Sequence, residues 1–186
     1  GQGHEVKLID APAYGLNHDQ TEQLYLQFGP DVVVIYTGRM SEDNDVAFAD
    51  HLLKKWEAEA IFVGPFFSVD PERTLRKSKK VRYGLSSEFE YPINDFIEGI
   101  PPKDIKNLVW KDGEEIVLND NRPYLGQAQL DALPFVCDFL SRHLSFEYYR
   151  APSEYHPFMD IMTGRGCQWG RCTYCLWVHS FIKGSV

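Results

Sequence analysis

Alternating strands and helices over the first hundred residues predict an α/β protein built on a doubly wound parallel sheet. Three observations carry that expectation. Asp31–Thr37 is an unbroken, largely β-branched apolar run, the composition of a buried parallel strand. Ser41 precedes an acidic turn and then Val46, Phe48, Leu52, Leu53 and Trp56 at helical spacing. Ala60–Val63 is another short apolar run, stopped by Gly64-Pro65.

The remaining elements follow in order. Glu5–Asp10 reads as a first strand, leading into a loop rich in Pro, Gly and Asn. Asp19–Phe28 has helical spacing at Leu24, Leu26 and Phe28, with His18 at its start. Pro71 at a first helical position opens a third helix, Val81–Tyr83 reads as a strand, and Phe89–Ile97 as a helix closed by Gly99. The hairpin Leu108–Trp110 and Ile116–Leu118, turned by Lys111–Glu114, is expected outside the main sheet. From Asn119 to about His156 the chain is rich in proline and aromatics without clear periodicity, which predicts an interdomain linker.

Length and charge bound the function. A chain of 186 residues suffices for one full core plus a second, incomplete unit. The net charge of −8 argues against a nucleic-acid surface, which needs clustered cations. Arg76–Lys80 is the one basic run, placed where it suits the end of a helix. No stretch approaches the roughly 20 apolar residues that span a bilayer. The absence of a signal peptide and the sparse cysteines lead us to expect a cytoplasmic protein.

The cysteines carry the chemistry. Cys167, Cys172 and Cys175 are spaced Cys-x4-Cys-x2-Cys, with Tyr174 just before the last thiol. Three thiolates on a short loop suit an iron–sulfur cluster, because soft sulfur ligands match its irons. A [4Fe-4S] cluster has four irons, so three cysteines leave one open to a substrate or cofactor. Other readings stay open. Structural zinc takes four protein ligands, and Cys137, His156 or His179 would have to complete the set. That reading makes the chain a non-catalytic α/β binding module. A redox pair at Cys172 and Cys175 leaves the third thiol unexplained.

The segment Phe158–Cys167 resembles the first barrel strand of radical S-adenosylmethionine enzymes running into their cluster loop. Those enzymes usually show Cys-x3-Cys-x2-Cys, and the extra residue here is similar to a variant of cobalamin-binding members. Gly3–Pro12, Pro30–Thr37 and Ala60–Pro65 resemble the cobalamin-binding domain that precedes many such barrels. Glu88 and Glu90 are similar to a Gly-Glu-x-Glu segment of related domains, with Ser87 in place of the glycine.

The resemblance implies a cobalamin-binding-like domain at 1–118 whose first strand is missing, a linker at 119–156, and the start of a TIM-like barrel at 157–186. It implies a fragment that stops just after the cluster motif. Cys167, Cys172 and Cys175 would ligate three irons, S-adenosylmethionine would chelate the fourth, and Tyr174 would lie near its adenine. Gly164 and Gly166 would let the backbone turn around the cluster. Reductive cleavage would release a 5′-deoxyadenosyl radical, for cobalamin-dependent methyl transfer to a small-molecule substrate. A flavodoxin or ferredoxin would supply the electron, and Arg165 and Arg171 would favour the reduced cluster by their charge.

Ligands of open parallel sheets lie beyond the carboxyl ends of the strands. That rule, with the resemblance, makes Thr37, Gly38, Ser41 and Gly64 the candidates for cobalamin binding, although such residues are also ordinary turn formers. No Asp-x-His-x-x-Gly motif is present, so a corrin is expected without a protein histidine on cobalt.

Overall fold

The computed structural model describes residues 3–162 and 164–176, and the chain groups into two compact units. One unit comprises Gly1–Gly29 with Gly126–Thr163, and the other Pro30–Leu125 with Gly164–Val186.

In the first unit, helix α1 (His18–Phe28) begins with a reciprocal cap. The Gln20 amide donates to Asn17 Oδ1 at 2.9 Å, and the Asn17 amide donates to Gln20 Oε1 at 3.0 Å. The predicted strand at Glu5–Asp10 does not form: among the described residues it pairs with no other strand. Asp10 instead accepts from the Ala13 amide at 3.2 Å and the Tyr149 hydroxyl at 2.7 Å. Burial and that carboxylate hold the Tyr149 hydroxyl well above its ordinary pKa. The rings of Tyr14 and Tyr148 lie 4.6 Å apart. The same unit contains the short helices α6 (Gln127–Asp131) and α7 (Val136–His143). Phe158–Met162, expected as a barrel strand, has no strand pairing.

The second unit holds one five-stranded sheet in the order β1 (Val32–Tyr36), β2 (Glu59–Val63), β3 (Tyr83–Leu85), β4 (Leu108–Asp112), β5 (Glu115–Leu118). The first three strands are parallel and the last two join antiparallel, so the sheet is mixed and not wholly parallel. It is also not doubly wound, since its order follows the chain without reversing. The hairpin belongs to the sheet because Leu108 and Val109 are almost fully buried and need a partner on each side. Leu85 pairs with Leu108 and Tyr83 with Trp110, which places β4 against the free edge of β3. The third strand starts two residues later than its apolar run suggests, because the Val81 amide is taken by Ser78 Oγ at 2.8 Å.

Helices pack on both faces of the sheet, but β1 is an edge strand and not the buried strand expected: its Val34 and Tyr36 stay 43% and 60% exposed. Helix α2 (Glu42–Lys55) lies against β1 and β2, while α3 (Pro65–Val69) and α4 (Pro71–Lys77) lie against β3. The short α3 was not anticipated from the sequence. Phe62 and Phe67 are fully buried with ring centroids 6.3 Å apart. On the opposite face Ile61, Val63, Tyr83, Leu85 and Leu108 pack with Phe89 and with Ile93 and Phe96 of helix α5 (Pro92–Ile97). Each such buried side chain contributes about 1.5–3 kcal/mol.

Polar groups lock the helices. Glu42, 3% exposed, accepts from Thr74 Oγ1 at 2.8 Å and pairs with Arg73 and Lys77, tying α2 to α4. Asp50 accepts from the Lys79 and Lys80 amides at 2.8 and 2.9 Å and from the Ser78 hydroxyl. Burial alone would raise the Asp50 pKa, but these bonds and the charge of Lys111 outweigh it and lower the value.

Two expectations follow. A Cβ on Gly84 would lie 2.0 Å from the Phe67 ring, so Gly84→Ala should destabilise by about 1–3 kcal/mol. Urea unfolding would show a lower midpoint with an unchanged slope. The Asp50 pKa is lower folded than unfolded, so its stabilisation is complete above the unfolded value of about 3.9 and fades as pH falls through the folded value. Asp50→Asn should therefore be less stable than the parent at neutral pH. The gap in melting temperature should narrow below about pH 4.

Candidate functional site

Two features of the second unit carry the candidate chemistry: the carboxyl-end rim of the parallel strands, and the cysteine loop. At the rim, the Thr37 amide and hydroxyl both donate to Val63 O, at 2.8 and 3.1 Å. Thr37 is fully buried, so it closes the seam between β1 and β2 and its hydroxyl is already engaged. Gly64 follows β2 at φ +118°, and a Cβ there would stand 2.7 Å from Thr37 O. Only glycine fits that approach.

Gly38 and Ser41 border the rim, both partly exposed. The Ser41 hydroxyl does not cap α2 as its position suggests. It accepts from the Gly38 amide at 3.3 Å and lies beside Asp45, whose pKa is raised by burial against the bonds from Ser41 and Gly38. No histidine lies in the rim segments 37–41, 64–68 or 86–88.

The third rim loop is bonded to the second. The Ser68 hydroxyl donates to Gly64 O at 2.8 Å and accepts from the Ser87 amide at 2.8 Å. Ser87 has φ +59°, a left-handed backbone that favours glycine. The serine therefore occupies a conformation that favours glycine.

Next in sequence is Glu88, 6% exposed. Its Oε2 accepts from the Leu125 amide at 2.6 Å and its Oε1 from Arg165 Nη1 at 3.0 Å. Arg165 also pairs with Glu90. Asn107, 2% exposed with φ +66°, donates to Glu88 O at 2.9 Å and accepts from the Arg122 amide at 2.6 Å. The sequence offered Glu88 and Glu90 only as similar to a Gly-Glu-x-Glu segment, and it pointed neither to Asn107 nor to the Arg165 partner. A part-buried arginine fork between two carboxylates has no short-range signature.

The cysteine loop begins immediately after Arg165. Cys167, Cys172 and Cys175 are free thiols of intermediate burial. Gly166 at φ +98° and Gly170 at φ +54° bend the backbone around Cys167. The Gly170 amide points at Cys167 Sγ at 3.5 Å, and the Cys175 amide donates to Cys172 O at 3.3 Å. Tyr174 is 89% exposed and does not pack the loop. The Arg171 guanidinium lies 5.9 Å from the Trp169 ring centroid. His179, a possible fourth zinc ligand, lies outside the described residues. Among the described residues, no helix is long and apolar enough to cross a membrane.

No protein-family model matches the chain. An uncharacterized methyltransferase of Pyrococcus horikoshii is 27% identical over 179 residues, covering 92% of this chain and 37% of the relative. The chain thus spans little more than a third of that relative. Two structures of TsrM, a radical S-adenosylmethionine methyltransferase of Kitasatospora setae, share the fold. The one with cobalamin and a [4Fe-4S] cluster bound superposes with a TM-score of 0.54 at 14% identity, covering 68% of this chain and 25% of TsrM. The one with tryptophan substrate and an S-adenosylmethionine analogue gives 0.51 at 15% identity, over 64% and 24%. The chain is therefore similar to methyltransferases in sequence and in its α/β fold.

Ser87 supplies the test of this geometry. Relief of its left-handed strain, worth about 1–2 kcal/mol, outweighs the unfolded-state entropy of glycine. Ser87→Gly should leave stability equal or raise it by up to about 1 kcal/mol, read by denaturant melts, whereas Ser87→Val should lower it.

Proposed function

We propose that this chain is part of a radical S-adenosylmethionine methyltransferase, carrying a cobalamin-binding-like α/β unit and the loop that holds a [4Fe-4S] cluster. The observation that carries the reading is the cysteine loop itself. Three free thiols stand on a glycine-bent backbone that is bonded into the same unit as the strand rim.

The donor set fits the group. Cys167, Cys172 and Cys175 would hold three irons, and soft thiolate donors suit an iron–sulfur centre. Glycines at 166 and 170 bend the backbone on either side of Cys167, and the Gly170 amide is directed at its Sγ. Tyr174, exposed beside Cys175, is available to stack on an adenine. For a corrin, Gly38 and Ser41 are the rim positions within reach of a ligand. Thr37 and Gly64 support them from beneath by closing the β1–β2 seam. When bound, the cluster supplies the electron that cleaves S-adenosylmethionine, and cobalamin supplies methyl transfer. The chain's residues bind and orient these groups. A flavodoxin-like or ferredoxin-like protein would be the electron donor, and the methyl acceptor a small molecule.

The test is anaerobic iron and sulfide loading of the full protein, followed by electron paramagnetic resonance after reduction. A reduced [4Fe-4S] signal that shifts with S-adenosylmethionine is expected, and it should vanish in Cys167→Ala, Cys172→Ala and Cys175→Ala. Stoichiometric zinc with no cluster would overturn the reading in favour of a structural metal.

A further inference from the structure

The sequence expectation for Arg165 is a free cation near the cysteines. The structure spends that charge elsewhere. Arg165 is 19% exposed, and its fork is divided between Glu88 Oε1, at 3.0 Å from Nη1, and Glu90, bonded to Nη2. One positive charge against two carboxylates leaves the cluster of three groups net negative. It cannot serve as an unpaired cation beside the loop.

Glu88 is itself held by further bonds. Its second oxygen holds the Leu125 amide and its carbonyl holds Asn107 Nδ2. The residue before it, Ser87, is bonded through Ser68 to Gly64 O. A continuous chain of bonds thus runs from the end of β2, through Ser68, Ser87 and Glu88, to Arg165. On the other side of Arg165 stand Gly164 and Gly166, the latter at φ +98°. Neither glycine offers a side chain by which this stretch could be held; Gly166 sits in a backbone bridge, and Arg165 supplies the side-chain attachment. Lysine could not replace it fully, because a single ammonium does not present two donors in a fixed fork.

We infer that Arg165 is a positioning residue: it fastens the start of the cysteine loop to Glu88 and Glu90, and so sets where Cys167 stands relative to the strand rim. The inference about the loop is independent of the metal. Its consequence for a cluster rests on the function proposed above.

The experiment uses the full protein, reduced, metal-free and anaerobic, with iodoacetamide labelling of each cysteine followed by mass spectrometry. Cys137, on α7 in the other unit, serves as internal reference. In Arg165→Ala the labelling rate of Cys167 relative to Cys137 should rise at least about tenfold, the loss of a charged hydrogen bond. Arg165→Lys should give an intermediate rise, and Glu90→Gln, which keeps Glu88, a smaller one. An unchanged ratio in Arg165→Ala with native circular dichroism would overturn the inference. If Arg165→Ala unfolds, Arg165→Lys and Glu90→Gln decide: a selective rise at Cys167 supports the anchor, and no selective change overturns it.

A second readout follows loading with iron and sulfide. The electron paramagnetic resonance spectrum of the wild type should be a single rhombic species, and that of Arg165→Ala broadened, with partial recovery in Arg165→Lys. Failure of the wild type to hold a cluster would sink the proposed function, while the labelling ratio would still settle the role of Arg165.

Discussion

Glu88 is a carboxylate in a place where an unpaired charge would be very costly. Nearly all of its surface is removed from water, yet each oxygen has a donor: the Leu125 amide on one and Arg165 on the other. Removing one partner of such a buried pair typically costs about 3–5 kcal/mol, because the remaining charge is stranded. The pair therefore acts less as a source of net stability than as a constraint on geometry. Three pieces of chain distant in sequence must meet for the charge to be satisfied: the loop after β3, the segment after β5 and the start of the cysteine loop.

That constraint works only because the sheet beneath it is rigid. The loop carrying Glu88 leaves β3, which is fully buried and paired on both sides. Gly84 lets the Phe67 ring sit against the sheet, while Tyr83 and Leu85 point to the opposite core. At the rim, Gly64 allows the β2 backbone to approach Thr37 closely enough for two bonds to Val63 O. The seam is thereby closed without a bulky side chain, and the loops above it remain low. A parallel arrangement places all three strand ends on the same rim, where Thr37 bonds the end of β2 and Ser87 bonds Ser68.

Much of the fold was legible in the sequence, for local reasons. Apolar, β-branched runs favour strands, and Val32–Tyr36 and Glu59–Val63 fall where those runs are, although β1 lies at the sheet edge with Val34 and Tyr36 exposed and only β2 is buried. Pro71 marks a helix start because proline loses no hydrogen bond in a first turn, and the helix read from Phe89 begins only at Pro92 for the same reason. The misreadings were non-local. Glu5–Asp10 has strand composition but finds no partner strand, and the hairpin carries no local mark of the edge it joins. Ser41 has the residue type of a cap, but its hydroxyl faces Gly38 and Asp45.

The sequence by itself determined the donor chemistry: three thiols at fixed spacing on a glycine-rich segment, together with the strand–helix alternation of the α/β unit. Ligand type and spacing are local properties of a chain, so they survive without a structure. The tertiary structure alone decided that Arg165 is neutralised by Glu88 and Glu90 and that Ser87 adopts a glycine backbone. It also decided that the hairpin completes the sheet. Each of these depends on which remote groups become neighbours when apolar faces are buried, and that is a property of packing which no window of sequence contains.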